Sequence, residues 1–393
     1  MKSNSDIQFT KGLVAGALVF VLFFLVWHVV LLKAGEIDID RVIQQQSADS
    51  SVLFSSGINQ NAFSYKIKLM GETNPEIMAI GSSRAMQFRQ AFFNVRFLNM
   101  GGTVSHVADL EQLSAEFYTL EDKPELVLLL IDPWWFNPNY PAVKHSHISA
   151  EYPDMINVDL ILNAIKAFTR GNWMLAMMNS NNLGIHSILT GEGFSVDGSY
   201  HYSSTVTSAK PATDVQFSNT LSRIKKGTQR FEKANYADSD MIKRACDAIK
   251  LIEKSTSQLV VVAPPFSKKV WDGMEAGGYE YMQDAYSQLE SCTNIPVNDY
   301  SDPDSLMGSN DCEFVDGFHG GDTTAARMLM DILQKNAELN KYIDQVFVNQ
   351  FIGEFSGNAA GITSSLILDK NETDFLNLGC QKQVFKSKID RAI

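Results

Sequence analysis

Cysteine, positive charge and long apolar runs are all scarce in this chain, and each scarcity excludes something. Four cysteines in 393 residues are too few for a disulfide scaffold, although one or two bridges remain open. Lys and Arg number 33 against 45 Asp and Glu, a formal net charge of −12. A chain of that sign repels phosphate backbones, which argues against nucleic acid as a partner. No internal repeat is visible. Neither the glycines of a GxGxxG turn nor the Lys of a P-loop accompanies any Gly-rich segment. What is present is an ordinary globular balance, 45% apolar and 20% charged. That excludes a wholly disordered chain, a coiled coil and a collagen-like fibre.

One apolar run is long enough to matter for location. Gly12 to Leu32 read GLVAGALVFVLFFLVWHVVLL, with His28 as the one ionisable side chain. About 20 helical residues cross a bilayer's hydrocarbon core. A secretory signal has a shorter apolar region, about 7–15 residues, and ends in a small-x-small cleavage site. Here LKAGEIDID follows instead. We therefore expect a single uncleaved anchor at 12–32 behind a cytoplasmic tail at 1–11. Lys2 and Lys11 precede the span, and the weak Lys/Arg bias favours an inside N-terminus. Everything after it would lie outside the cytoplasm, where disulfides form. The cysteines are Cys246, Cys292, Cys312 and Cys380. A Cys292–Cys312 bridge would pin the loop leading to residue 316; four free buried thiols are the alternative.

Past a mixed polar stalk at 33–75, apolar runs alternate with helical periodicity. The strand candidates are IMAIG, NVRFLNM, KPELVLLLIDPWWF and QLVVVAPPF. Strands apolar on both faces belong in a parallel sheet covered by helices. Helical patterns lie in SSRAMQFRQAFF, VSHVADLEQLSAEFYTL, ADSDMIKRACDAIKLIEKS, GGYEYMQDAYSQLESC and the stretch after residue 320. This predicts an α/β doubly wound parallel sheet, helices on both faces, over residues 76–350. An Asn- and Ser-rich insertion occupies about 137–235, and residues 351–393 form a C-terminal extension.

Three segments at predicted strand ends carry chemistry, where open α/β sheets bind ligands. They are Gly81-Ser82-Ser83-Arg84, Asn99-Met100-Gly101-Gly102 and Asp316-Gly317-Phe318-His319. A Ser in the first turn of a helix faces the positive end of its dipole. A tight Gly turn adds open N–H groups. An imidazole takes the hydroxyl proton, and a carboxylate three residues earlier fixes its tautomer. That is the inventory of covalent acyl transfer. Lesser candidates are Arg84 for an anionic acceptor, His106 one turn past Gly102, and Trp134, Trp135, Tyr200 and Tyr202 as a sugar platform. Lys144-His145-Ser146-His147 is a weak metal pattern.

In order and spacing, GSSR, NMGG and DGFH resemble blocks of the SGNH (GDSL-like) hydrolase superfamily. Asp132-Pro133-Trp134-Trp135-Phe136 and the anchor look like its membrane-bound DltD-like and alginate-acetylation-like branch. The resemblance implies a flavodoxin-like SGNH fold. It makes Ser83 the nucleophile, His319 the base and Asp316 its partner, with backbone N–H groups of Ser83, Gly101 and Gly102 as the oxyanion site. It implies no cofactor, and an acyl-serine O-acyltransferase acting on a polysaccharide at the outer face of a bacterial inner membrane. A multi-pass membrane O-acyltransferase would supply the acyl group. An esterase using the same residues, or a non-catalytic glycan-binding scaffold, are the alternatives. Two departures stand out. The family's Gly-x-Asn-Asp block has no counterpart in IDPWW, and Val104 falls near a usual Gly.

Overall fold

The computed structural model describes residues 4–58, 62–141, 143, 146, 151–361 and 371–382. The chain forms two compact units, one from Met1–Gln60 with Glu151–Gly193, the other from Asn61–Ala150 with Phe194–Ile393. The expected stalk and the expected insertion are therefore each divided between the units. The stalk's helix Ile39–Ala48 belongs to the first, and its helix Ala62–Thr73 to the second.

The second unit is built on a five-stranded sheet. Its strands are β1 (Ile77–Gly81), β2 (Phe97–Gly101), β3 (Leu126–Leu130), β4 (Gln258–Ala263) and β5 (Val297–Asp299), in the order β2-β1-β3-β4-β5. Every pairing is parallel. All residues of β1, β2 and β3 are buried, as their unbroken apolar runs require. Ile77, Ala79, Leu126 and Leu128 share a core with the helices Asp322–Lys335 and Gln345–Phe355. Their alternates Met78, Ile80, Val127 and Leu129 point to the opposite face. There, right-handed crossovers place Val107–Thr119, Ser239–Glu253 and Tyr281–Thr293. β5 escaped the sequence reading because it is three half-buried residues with polar Asn298 and Asp299.

SSRAMQFRQAFF is not the helix its periodicity predicts. It forms two short 3-10 turns, Ser83–Ala85 and Gln90–Phe92. The physical reason is Asn99 on β2. Its Nδ2 donates to the carbonyls of Ala85 and Phe88, 2.9 Å each, which a helix would spend internally. Ala85, Phe88 and Phe92 bury into the core beside β1 all the same.

The cysteines also pair differently from expectation. Cys246 bonds Cys292 and Cys312 bonds Cys380, with Cα separations of 6.2 and 5.8 Å. Cys292 ends the helix Tyr281–Thr293, which packs beside Ser239–Glu253, the helix that carries Cys246. Cys312, just ahead of Asp316, is met by the C-terminal extension instead. No described cysteine is free.

In the first unit, the helix Asn4–Lys33 contains a stretch, Gln8–Lys33, long and apolar enough to cross a membrane. It is the one such helix among the described residues. Its end is packed: Leu31, Ala34 and Ile37 form a core with Leu160, Ala164, Trp173 and Ile185. Glu36 is fully buried there and accepts from Ser56 Oγ, from Gly57 N at 2.9 Å and from Ile185 N at 2.6 Å. Burial still leaves its carboxyl pKa raised.

Candidate active site

The strand order reverses at β1, so the carboxyl ends of β1 and β3 flank the crevice where doubly wound sheets bind ligands. Ser83 is the second residue after β1. Gly81 is required ahead of it, because a Cβ there would lie 2.8 Å from the Leu130 carbonyl on β3. Ser82 Oγ accepts from Arg84 N at 3.2 Å and fixes the turn. The hydroxyl of half-buried Ser83 then stands 2.7 Å from His319 Nε2. His319 Nδ1 lies 2.7 Å from Asp316 Oδ2. Asp316 Oδ1 accepts the backbone N–H groups of Phe318 and His319 at 3.0 and 2.9 Å. Burial pushes the Asp316 carboxyl up, but His319 and those N–H groups outweigh it and hold the pKa below its usual value. Two segments far apart in sequence, Gly81–Arg84 and Asp316–His319, thus meet in a hydroxyl–imidazole–carboxylate relay.

The loop bearing this imidazole is braced on both sides. Val315 N donates to the His319 carbonyl at 2.8 Å, and Gly317 packs where a Cβ would meet Val270 and Thr220 below 3 Å. Gly317 N also donates to Asp214 Oδ2 at 3.1 Å. Asp214 further accepts from Thr220 Oγ1 at 2.7 Å. Two guanidinium groups stand over the Phe318 ring, Arg223 at 5.0 Å and Arg230 at 5.7 Å. Burial lowers the Arg223 pKa against the opposing charges of Asp316 and Asp214. Asp214, Thr220, Arg223 and Arg230 all come from the segment treated as an insertion. Nothing in its Ser- and Thr-rich composition pointed to them; they became legible only through what they touch.

Several sequence candidates are placed elsewhere. Arg84, proposed for an anionic acceptor, is 4% exposed. Its guanidinium donates to the Phe318 carbonyl at 2.8 Å, to Pro264 and Pro265 carbonyls at 2.7 Å each, and to Asp132 at 3.2 Å. Four of its five N–H donors are spent inside the protein, so Arg84 clamps the ends of β1, β3 and β4 to the His319 loop. Trp134 and Trp135 are 2% and 4% exposed and cannot form a sugar platform. Their apolar surface is spent on the core, Trp134 edge-on to Phe318 at 6.0 Å. Tyr200 and Tyr202 sit with rings 4.8 Å apart, half-buried. His106 faces Asp109 at 3.4 Å and lines a small cavity with Trp135 and Tyr140. Lys144, His145 and His147 lie outside the described residues; Ser146 Oγ donates to Asp109 at 2.7 Å.

The expected oxyanion donors change as well. Gly101 N donates to Asn99 Oδ1 at 2.7 Å, and Gly102 N to the carbonyls of Gly81 and Ser82 at 2.9 and 3.0 Å. Both N–H groups are turned into the protein because β2 ends against the Ser83 turn. A Cβ on Gly101 would lie 2.8 Å from Met86 N. The three-residue turn at Ser83 also lacks the helix dipole the sequence suggested. Among the described residues nothing accepts from the Ser83 N–H, which leaves it open for a developing oxyanion.

Beneath Asn99 sits Lys66, fully buried. Its Nζ donates to the Asn99 carbonyl at 2.6 Å and to the Gly198 carbonyl. Burial lowers its pKa from 10.5 to about 7, with Asp197 opposing and Arg89 adding to the shift. Between those values the unfolded chain binds the extra proton, so stability rises with pH across the window. Lys66→Met is expected to flatten that rise. Urea midpoints collected from pH 7 to 10 check it, and an unchanged slope would refute the assignment.

No protein-family model and no curated protein matches this chain.

Proposed function

We propose that this chain is a membrane-anchored, extracytoplasmic serine O-acyltransferase of the SGNH-hydrolase type. The observation that carries the reading is the Ser83–His319–Asp316 relay, with both of its hydrogen bonds at 2.7 Å. Ser83 Oγ attacks an acyl carbonyl while its proton passes to His319 Nε2. The tetrahedral oxyanion is met by the Ser83 N–H, and the donor's leaving group departs with the proton from His319. An acceptor hydroxyl then gives its proton to His319 and attacks the acyl-serine, which releases the new ester and restores Ser83. Asp316 holds the imidazole in the tautomer whose Nε2 is free to accept.

The acceptor is a hydroxyl of an exported polysaccharide, and the donor an acetyl-type group delivered by a multi-pass membrane acyltransferase. The apolar N-terminal helix and two disulfides support a location outside the cytoplasm. A sparse oxyanion site makes fast general hydrolysis unexpected, since each missing donor costs about 10²–10³ in rate. The same relay would serve an esterase, and acyl release from acetylated glycan by the purified chain alone would select that reading.

The direct test is intact mass of the full chain in detergent after a fluorophosphonate probe. One adduct is expected, absent from Ser83→Ala and from His319→Ala. No adduct on folded protein would overturn the proposal.

A further inference from the structure

The helix Val158–Ala167 carries three stripes where a surface helix has two. At about 100° per residue, Leu160, Ile161, Ala164 and Ala167 share one buried side. Asp159, Asn163, Lys166 and Arg170 share a polar side. Between them Val158, Leu162 and Ile165 point outward, 57%, 47% and 45% exposed. Leu175 and Met178, from the helix Trp173–Met177 and its end, are 59% and 79% exposed. A stripe of aliphatic side chains along one line of a helix is not what a water-facing surface carries.

The same unit says what covers them. Ala164, Ala167 and Leu160 bury against Leu31 and Ala34, at the end of the apolar N-terminal helix, with Trp27 and Val30 packed alongside. The outward stripe therefore lies within about one helix diameter, roughly 10 Å, of the point where that helix stops being apolar. Leu25, Val26 and Val29 on that helix are themselves half-exposed, as side chains facing lipid would be. Amphipathic helices at such a level bury their apolar face about 5–10 Å into the headgroup boundary. Lys166 and Arg170 flank the stripe, as cationic side chains do at that depth.

We propose that Val158, Leu162 and Ile165 form a lipid-embedded face. It beds into the phospholipid surface on the side of the bilayer where the N-terminal helix ends. The unit is then a monotopic foot as well as the end of an anchor. This rests on the reading of that helix as membrane-spanning and not on acyl transfer.

The test uses the full chain in vesicles of zwitterionic and anionic phospholipid. An environment-sensitive fluorophore is placed, one site at a time, through Leu162→Cys, Ile165→Cys, Asn163→Cys and Leu22→Cys. Labels at 162 and 165 are expected to be quenched by a nitroxide high on the acyl chain and shielded from aqueous iodide. The label at 163 should show the reverse. Iodide reaching 162 and 165 as freely as 163, with the 22 label still quenched by lipid, overturns the proposal. Iodide reaching the 22 label means instead that the span itself fails. Shielding of 162 that appears only at high protein-to-lipid ratio assigns the face to a second copy and also overturns it. As a second readout, Leu162→Asp with Ile165→Asp is expected to expose a label at Val158→Cys to iodide.

Discussion

Ser83→Ala is expected to lower acyl transfer by on the order of 10⁴-fold or more without unfolding the chain. The hydroxyl's hydrogen bond is to His319, whose side chain is 14% exposed, so water can replace the lost partner at small cost. Asp316 keeps its contacts with the imidazole and the loop backbone. His319→Ala should cost a similar factor, and the double variant little more, because the two act as one unit. The measurement is transfer from a soluble acyl ester to a glycan acceptor, beside thermal melts of each variant. Activity retained in Ser83→Ala, or losses that multiply in the double variant, would remove Ser83 and His319 from the chemistry.

Arg84→Met should destabilise the fold by about 3–5 kcal/mol, the usual cost of stripping one partner from a buried ion pair. The substitution abandons the carbonyls of Phe318, Pro264 and Pro265 and leaves Asp132 buried with no counter-charge. Arg84→Lys is not expected to rescue it, since one ammonium cannot reach acceptors spread around a planar fork. Adding Asp132→Leu to Arg84→Met should recover part of the loss by removing the stranded carboxylate. Urea denaturation gives the comparison. A loss under about 1 kcal/mol would mean that the pair is not desolvated as drawn.

Most of the sheet was legible in sequence because unbroken apolar runs such as LVLLL have no other place than a strand covered on both faces. The Gly81–Arg84 and Asp316–His319 segments were legible as a hydroxyl and a carboxylate–imidazole pair at strand or loop ends, and the choice of Ser83 over Ser82 rested on the resemblance of the GSSR block. The misread helix after Ser83 shows the limit. Its periodicity suits a helix, yet Asn99, on a different strand, takes the carbonyls a helix would need. Arg84 illustrates the same limit for function. Beside a serine proposed as nucleophile, an arginine reads as a ligand-binding group, and its burial follows only from the approach of Pro264, Pro265 and Phe318.

The amino-acid sequence alone determined the apolar N-terminal helix, the parallel α/β sheet and the strand-end segments that carry the hydroxyl and the carboxylate–imidazole pair. Each of these depends on short-range pattern, on run length, alternation or a glycine at a turn. The tertiary structure alone decided which cysteines pair and which way the Gly101 and Gly102 N–H groups point. It also decided that Asp214 and Arg223 belong beside the His319 loop. These are set by which distant backbones come within hydrogen-bond reach, and close packing allows few arrangements once the sheet is formed.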